Sequence, residues 1–107
     1  RTRALSAVLT AGALVLDLEA HQAQVDGTPV PLTATEYRLL EYLMRRVGTI
    51  VSRDQLAEHV WGGEYDPCSN VADVYVGYLR RKLAGTAASD QIRTIRGLGY
   101  MLARSER

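Results

Sequence analysis

Asn70-Val71-Ala72-Asp73-Val74-Tyr75-Val76-Gly77-Tyr78-Leu79-Arg80-Arg81-Lys82-Leu83 is the stretch on which the fold turns. At 100° per residue, Ala72, Val76, Leu79 and Leu83 fall in one narrow arc, so the segment reads as a helix with a core-facing stripe. Either Ser69 or Asn70 can cap its start. With the stripe removed, Asn70, Val74, Gly77, Tyr78 and Arg81 point outward, flanked by Val71, Tyr75, Arg80 and Lys82. A merely solvated face favours Glu, Lys and Ala; two tyrosines, two valines and a glycine cost helix propensity and expose apolar area. Such a face calls for a partner, although either tyrosine could instead pack under a neighbouring element.

C-terminal to this helix, Gly85 to Asp90 reads as a loop. Gln91 to Arg96 and Tyr100 to Ala103 then read as two strands joined by Gly97-Leu98-Gly99. Alternation places Ile92, Thr94 and Arg96 on one face of the first strand and Arg93 and Ile95 on the other. Two glycines make the tip thin, with Arg96 beside it. On the N-terminal side, Gly62 to Ser69 is a loop rich in turn residues.

Two helix starts precede that loop. Thr33-Ala34-Thr35-Glu36 and Ser52-Arg53-Asp54-Gln55 both have the capping-box spacing, in which the first hydroxyl and the fourth side chain satisfy each other's free amides. Leu40, Leu43, Met44 and Val47, with Tyr37 at the edge, give the first helix a buried stripe, and Gly48 stops it. Leu56 with Val60 and Ala57 with Trp61 give the second helix an apolar side before Gly62-Gly63. Further upstream, Leu14, Leu16 and Leu18 alternate with Val15, Asp17 and Glu19, and Asp26-Gly27 is a hairpin dipeptide, so a small antiparallel sheet is expected between Ala13 and Leu32. Residues 1–10 lack a period and read as the end of a linker, which leaves 11–107 as one domain.

Bulk composition is that of one ordinary domain: 107 residues, 47% hydrophobic and 23% charged. No apolar run approaches the roughly 20 residues of a membrane-spanning helix, and neither a membrane partner nor a secretory leader is indicated. Cys68, the single cysteine, suits a reducing cytoplasm. Net charge is only +1, but residues 1–69 carry six Arg against nine acids, and residues 70–107 carry seven Lys or Arg against three. The cationic C-terminal third suits a polyanion. A major groove about 12 Å wide accepts one helix and offers thymine methyls to Val71 and Val74 and base edges to Asn70 and Arg81. Phosphates would suit Arg80, Lys82 and the tyrosine hydroxyls. Arg96 at a thin tip suits a narrow minor groove. The rival of a different class is a protein-interaction module that uses the same Tyr and Val face.

Catalytic and metal chemistry find little footing. His21 and His59 stand 38 positions apart with no second ligand at metal spacing, Cys68 has no catalytic partner motif, and phosphate-cradling or nucleophile-elbow glycine motifs are missing. No enzyme activity, cofactor or metal is expected.

Taken in order, Leu32-Thr33-Ala34-Thr35-Glu36-Tyr37-Arg38-Leu39-Leu40, Val51-Ser52-Arg53-Asp54-Gln55-Leu56, Val60-Trp61-Gly62, Ser69-Asn70-Val71-Ala72-Asp73-Val74, Leu79-Arg80-Arg81-Lys82-Leu83 and Ile95-Arg96-Gly97-Leu98-Gly99-Tyr100 resemble the OmpR/PhoB-type effector domain of bacterial two-component response regulators. The resemblance covers residues 12–103. It implies an α+β winged helix-turn-helix: an N-terminal four-stranded sheet, three helices, and a C-terminal hairpin wing, with the third helix in the major groove and the wing at the minor groove. It implies a phosphorylatable receiver domain upstream, a sensor kinase, and a dimer on DNA. Position by position it assigns DNA contact to Asn70, Val71, Val74, Tyr75, Tyr78, Arg80, Arg81 and Lys82 in the helix, and to Thr94 and Arg96 in the wing. Asp73 matches an acidic position read as structural, with Arg80 as its expected partner. Gly62, Gly63, Glu64, Tyr65, Asp66, Pro67 and Cys68 correspond to the segment through which relatives can touch RNA polymerase. Gly77 and Tyr78 depart from the Arg or other polar side chains of many relatives, so base preference does not transfer.

Overall fold

The computed structural model describes residues 7–63 and 69–105. Four short strands open the chain: β1 (Val8–Ala11), β2 (Leu14–Asp17), β3 (Gln22–Val25) and β4 (Thr28–Val30) form an antiparallel sheet in chain order. Alternation works as read from the sequence, with Leu14, Leu16, Ala23 and Val25 buried and their neighbours half-exposed or exposed. The sheet nevertheless starts earlier than its sequence pattern indicates. Val8, Leu9 and Thr10 lie in β1, paired with Asp17, Leu16 and Val15, inside the stretch expected to be linker. Only Ala11 of this strand is fully buried, so a four-residue edge strand leaves no two-fold hydrophobic pattern to read.

Three helices follow: α1 (Ala34–Arg45), α2 (Arg53–His59) and α3 (Val71–Leu83). Both capping boxes form. The Glu36 amide donates to Thr33 Oγ1 at 3.2 Å and the Thr33 amide to Glu36 Oε1 at 2.9 Å. In α2 the Gln55 amide donates to Ser52 Oγ at 3.1 Å and the Ser52 amide to Gln55 Oε1 at 2.9 Å. The third helix starts one residue late. Asn70 is its N-cap residue but makes no side-chain cap bond, and Ser69 Oγ accepts weakly from the Val71 amide at 3.5 Å.

The last two strands, β5 (Ile92–Ile95) and β6 (Gly99–Leu102), form the expected hairpin, with β5 a residue shorter at each end and β6 of the expected length but starting and ending one residue earlier. Val51 adds a one-residue rung on the other edge of β6, exchanging amide bonds with Tyr100 at 2.7 and 2.9 Å, so the connection between α1 and α2 is stitched to β6. Gly99 makes this possible. It lies at φ +143°, and a Cβ there would sit 2.1 Å from the Val51 carbonyl oxygen.

One core joins the sheet, the helices and the hairpin. Leu14, Leu16, Leu39, Leu40, Leu43, Leu56, Val76, Leu79, Leu83 and Leu102 are all fully buried in it. Gln91 is also fully buried, and its amide group donates to the Ala11 and Ala103 carbonyls, each at 3.0 Å. Both Nε2 donors are thus satisfied while the buried Oε1 accepts from no described group, so Gln91 ties the N-terminal sheet to the end of the hairpin at the cost of one unpaired acceptor. No described helix is long and apolar enough to cross a membrane.

Candidate nucleic-acid interface

The core stripe of α3 is as read, with Ala72, Val76, Leu79 and Leu83 buried. Opposite it, Asn70, Val74, Tyr78 and Arg81 are exposed, with Val74 at 37% and Tyr78 at 39%. Gly77 lies among them, and a Cβ added there would meet nothing within 4 Å. These five are the outward face that the periodicity sets apart.

The flanking positions divide between two neighbours. On one flank, Arg80 reaches the hairpin: its Nε and Nη2 donate to the Ile92 carbonyl at 3.2 and 3.0 Å, and Nη2 also donates to Thr94 Oγ1 at 2.8 Å. Its guanidinium also stands 5.9 Å from the Tyr100 ring centroid. On the other flank, Val71 and Tyr75 are half-buried against the core, and Tyr75 lies against Trp61 at 5.5 Å between ring centroids. Lys82 turns to α1, its Nζ 2.6 Å from Glu36 Oε1. Of the eight helix residues assigned to contact, Asn70, Val74, Tyr78 and Arg81 therefore face outward, whereas Val71, Tyr75, Arg80 and Lys82 are engaged with the protein itself.

Asp73 corrects another expectation, because its partner is not Arg80. Arg53 at the start of α2 donates to it from Nε at 3.0 Å and from Nη2 at 3.2 Å, and the Tyr100 hydroxyl of β6 donates to its Oδ1. Arg80 and Asp73 do share a flank of α3, but the hairpin carbonyl and hydroxyl take Arg80 first. The Tyr100 hydroxyl and then Arg53 hold the Asp73 carboxyl below the usual aspartate range, and Asp73 in turn raises Arg53. Burial, then Asp73, pushes the Tyr100 hydroxyl up.

Asp73 and Arg80 thus pin the hairpin to α3 at two levels, one through β6 and one through β5. A two-stranded hairpin alone is marginal in water, so these ties and the Val51 rung hold it at a set angle. Beyond them Arg96, Gly97 and Leu98 at the tip are exposed, Leu98 at 59%, and Thr94 is exposed as well although its hydroxyl accepts from Arg80. Arg53, Tyr100 and Trp61 organise the surface without having been singled out from sequence. Their partners are distant in the chain, and only their places in the Ser52-Arg53, Val60-Trp61 and Gly99-Tyr100 motifs, with Trp61 on the apolar side of the second helix, mark them. Within the loop before α3, Gly62 and Gly63 are exposed and the Gly63 amide donates to the Ala57 carbonyl at 2.8 Å; Glu64 to Cys68 lie outside the described residues. Among the described residues, no three His, Cys, Asp or Glu side chains gather as a metal site.

A helix-turn-helix whose second helix lies beside a pinned hairpin, behind a four-stranded sheet, is a winged helix. Residues 27–102 match the family model of the transcriptional regulatory protein C-terminal domain, and the chain belongs to this family, the OmpR/PhoB type. It is 44% identical over 97 residues to the two-component response regulator PhoP of Pseudomonas aeruginosa, covering 91% of this chain and 43% of that protein. Against the phosphate regulon transcriptional regulatory protein PhoB of Rhizobium meliloti it is 43% identical over 98 residues, covering 92% of this chain and 43% of the relative. The chain thus spans less than half the length of these relatives. Among solved structures, the DNA-binding domain of CpxR from E. coli matches with a TM-score of 0.79 and 35% identity over 90% of this chain and 95% of that one. The Klebsiella pneumoniae RstA DNA-binding domain, solved in complex with the RstA box, matches at 0.81 with 31% identity over 91% and 97%.

Proposed function

We propose that this chain is the sequence-specific DNA-binding output domain of a two-component response regulator. In this reading α3 enters the major groove with Asn70, Val74, Tyr78 and Arg81 toward the bases, and Arg96 with the hairpin tip meets the minor groove. The observation that supports it most is the outward face of α3: half-exposed apolar side chains between an Asn and an Arg, with a cationic hairpin pinned alongside. A groove covers that face, supplies edges for its polar groups and phosphates for the surrounding charge.

The remaining parts belong to the same proposal. A receiver domain precedes this chain in the full protein, a sensor kinase phosphorylates it in the cytoplasm, and two copies bind adjacent half-sites. The loop from Gly62 to Cys68 is where RNA polymerase is contacted.

Selection of bound sequences from a random duplex pool, followed by titration at several salt concentrations, tests the central claim. Expected are an enriched sequence and an affinity that falls linearly in log salt with a steep slope. No enrichment together with a flat salt response refutes it and favours a protein partner on the same apolar face.

A further inference from the structure

Four outward side chains of α3 are left once the flanks are accounted for, and the middle of that set is apolar. Val74 and Tyr78 are neighbours at helical spacing, with Gly77 beside them on the same face. A Cβ built on Gly77 would face open space, with no other element of the fold within 4 Å, so the helix surface beside Val74 is bare and leaves the two larger side chains standing proud. Tyr78 is also held in orientation. Its ring meets Tyr75 edge-on at 5.3 Å and 77°, and Tyr75 rests on buried Trp61. The Arg81 guanidinium lies 5.6 Å from the Tyr78 ring centroid, so the one outward cation is drawn toward the same ring.

Among the groups displayed on base edges in a major groove, the 5-methyl of thymine is the apolar one large enough to bury against a side chain. The Val74 side chain and the oriented Tyr78 ring match that methyl, and apart from the Tyr78 hydroxyl they offer no hydrogen bond to a base edge. From this we infer that Val74 and Tyr78 make the chain a reader of pyrimidine 5-methyl groups, so that thymines under the centre of α3 are selected for the methyl and not for the O4 carbonyl. The inference rests on the DNA-binding reading and specifies which sequences satisfy it.

Deoxyuridine lacks only the methyl and keeps the pairing edge and O4, so it isolates the contact. With the sequence enriched by the purified chain, each thymine is replaced in turn by deoxyuridine and affinity is measured by mobility shift. One or two positions are expected to weaken binding about three- to fivefold, the size for one methyl-sized group removed from water. In Val74→Ala the sensitivity at one position disappears, and in Tyr78→Ala that at the same or the adjacent one. Tyr78→Phe, which keeps the ring, and Arg81→Ala both retain it. Equal affinity for the enriched sequence with every thymine replaced overturns the inference while leaving DNA binding intact. Uridine sensitivity that survives in both alanine variants overturns it as well. A chain that enriches no sequence at all refutes the DNA-binding reading, and this inference with it.

Discussion

Arg80 Nη2 donates to Thr94 Oγ1 at 2.8 Å, and through this bond and those to the Ile92 carbonyl the third helix grips the first strand of the hairpin. A guanidinium can hold two acceptors in one plane, whereas an ammonium is a point charge that cannot. Arg80→Lys therefore keeps the charge and loses the grip. Amides in 92–102 of the free chain are expected to exchange several-fold faster in this variant, with no change in the amides of α1. If Arg80 serves only as a phosphate ligand, exchange in the free chain stays as it was.

Gly99 and Gly97 look alike in sequence and differ in what surrounds them. At Gly99 an added Cβ would stand 2.1 Å from the Val51 carbonyl oxygen and 2.9 Å from Ser52 Cα, all backbone that cannot swing aside. Gly97, at φ +76°, faces open space. Gly99→Ala should cost more than about 3 kcal/mol, because the rung between Val51 and β6 must open. Gly97→Ala should cost only the left-handed strain of about 1 kcal/mol. Urea unfolding of the two variants measures the difference, and equal costs would show that the Val51 rung is not what requires glycine.

Asp73 links stability to pH. The Tyr100 hydroxyl and Arg53 hold its carboxyl below its ordinary value, so the folded chain binds that proton less readily than the unfolded one. This contribution is complete above the unfolded value near 3.9 and is lost as pH falls through the lower folded value. Asp73→Asn, which cannot ionise, should start from lower stability at neutral pH and lose less of it below about pH 5 than the parent chain. Thermal melts from pH 7 to pH 3 check this, and parallel curves for the two proteins would contradict it.

Much of this architecture can be read from local sequence because local chemistry dictates it. Thr33 with Glu36 and Ser52 with Gln55 satisfy each other's amides within three positions, so the spacing alone fixes both helix starts. The outward face of α3 is legible for the same reason, since its period depends on no other element. Partners across the fold are not. Asp73 finds Arg53 at 20 positions and Tyr100 at 27, and the nearer Arg80 is claimed by the hairpin. β1 is invisible because an edge strand with a single fully buried residue owes its form to pairing with β2.

Lys82 shows the same limit and yields the sharpest test. Its place in the Arg80-Arg81-Lys82 run suggests a phosphate contact, yet its ammonium sits 2.6 Å from the carboxylate of Glu36, which is itself 4% exposed. Burial pushes the Glu36 carboxyl up, but Lys82 and the Thr33 amide outweigh it and leave the group below its ordinary value. Removing Lys82 leaves a buried carboxylate supported by Thr33 alone at the helix cap. Because Lys82 is itself about one-third exposed (35%), the loss should fall between that of a surface pair and that of a fully buried one, roughly 1 to 3 kcal/mol. Lys82→Ala is thus expected to lower unfolding stability while leaving the slope of log affinity against log salt unchanged. A phosphate ligand would reduce that slope by about 1. Urea titration and salt-dependent mobility shifts on one preparation separate the two roles, and a reduced slope with parental stability would return Lys82 to the DNA.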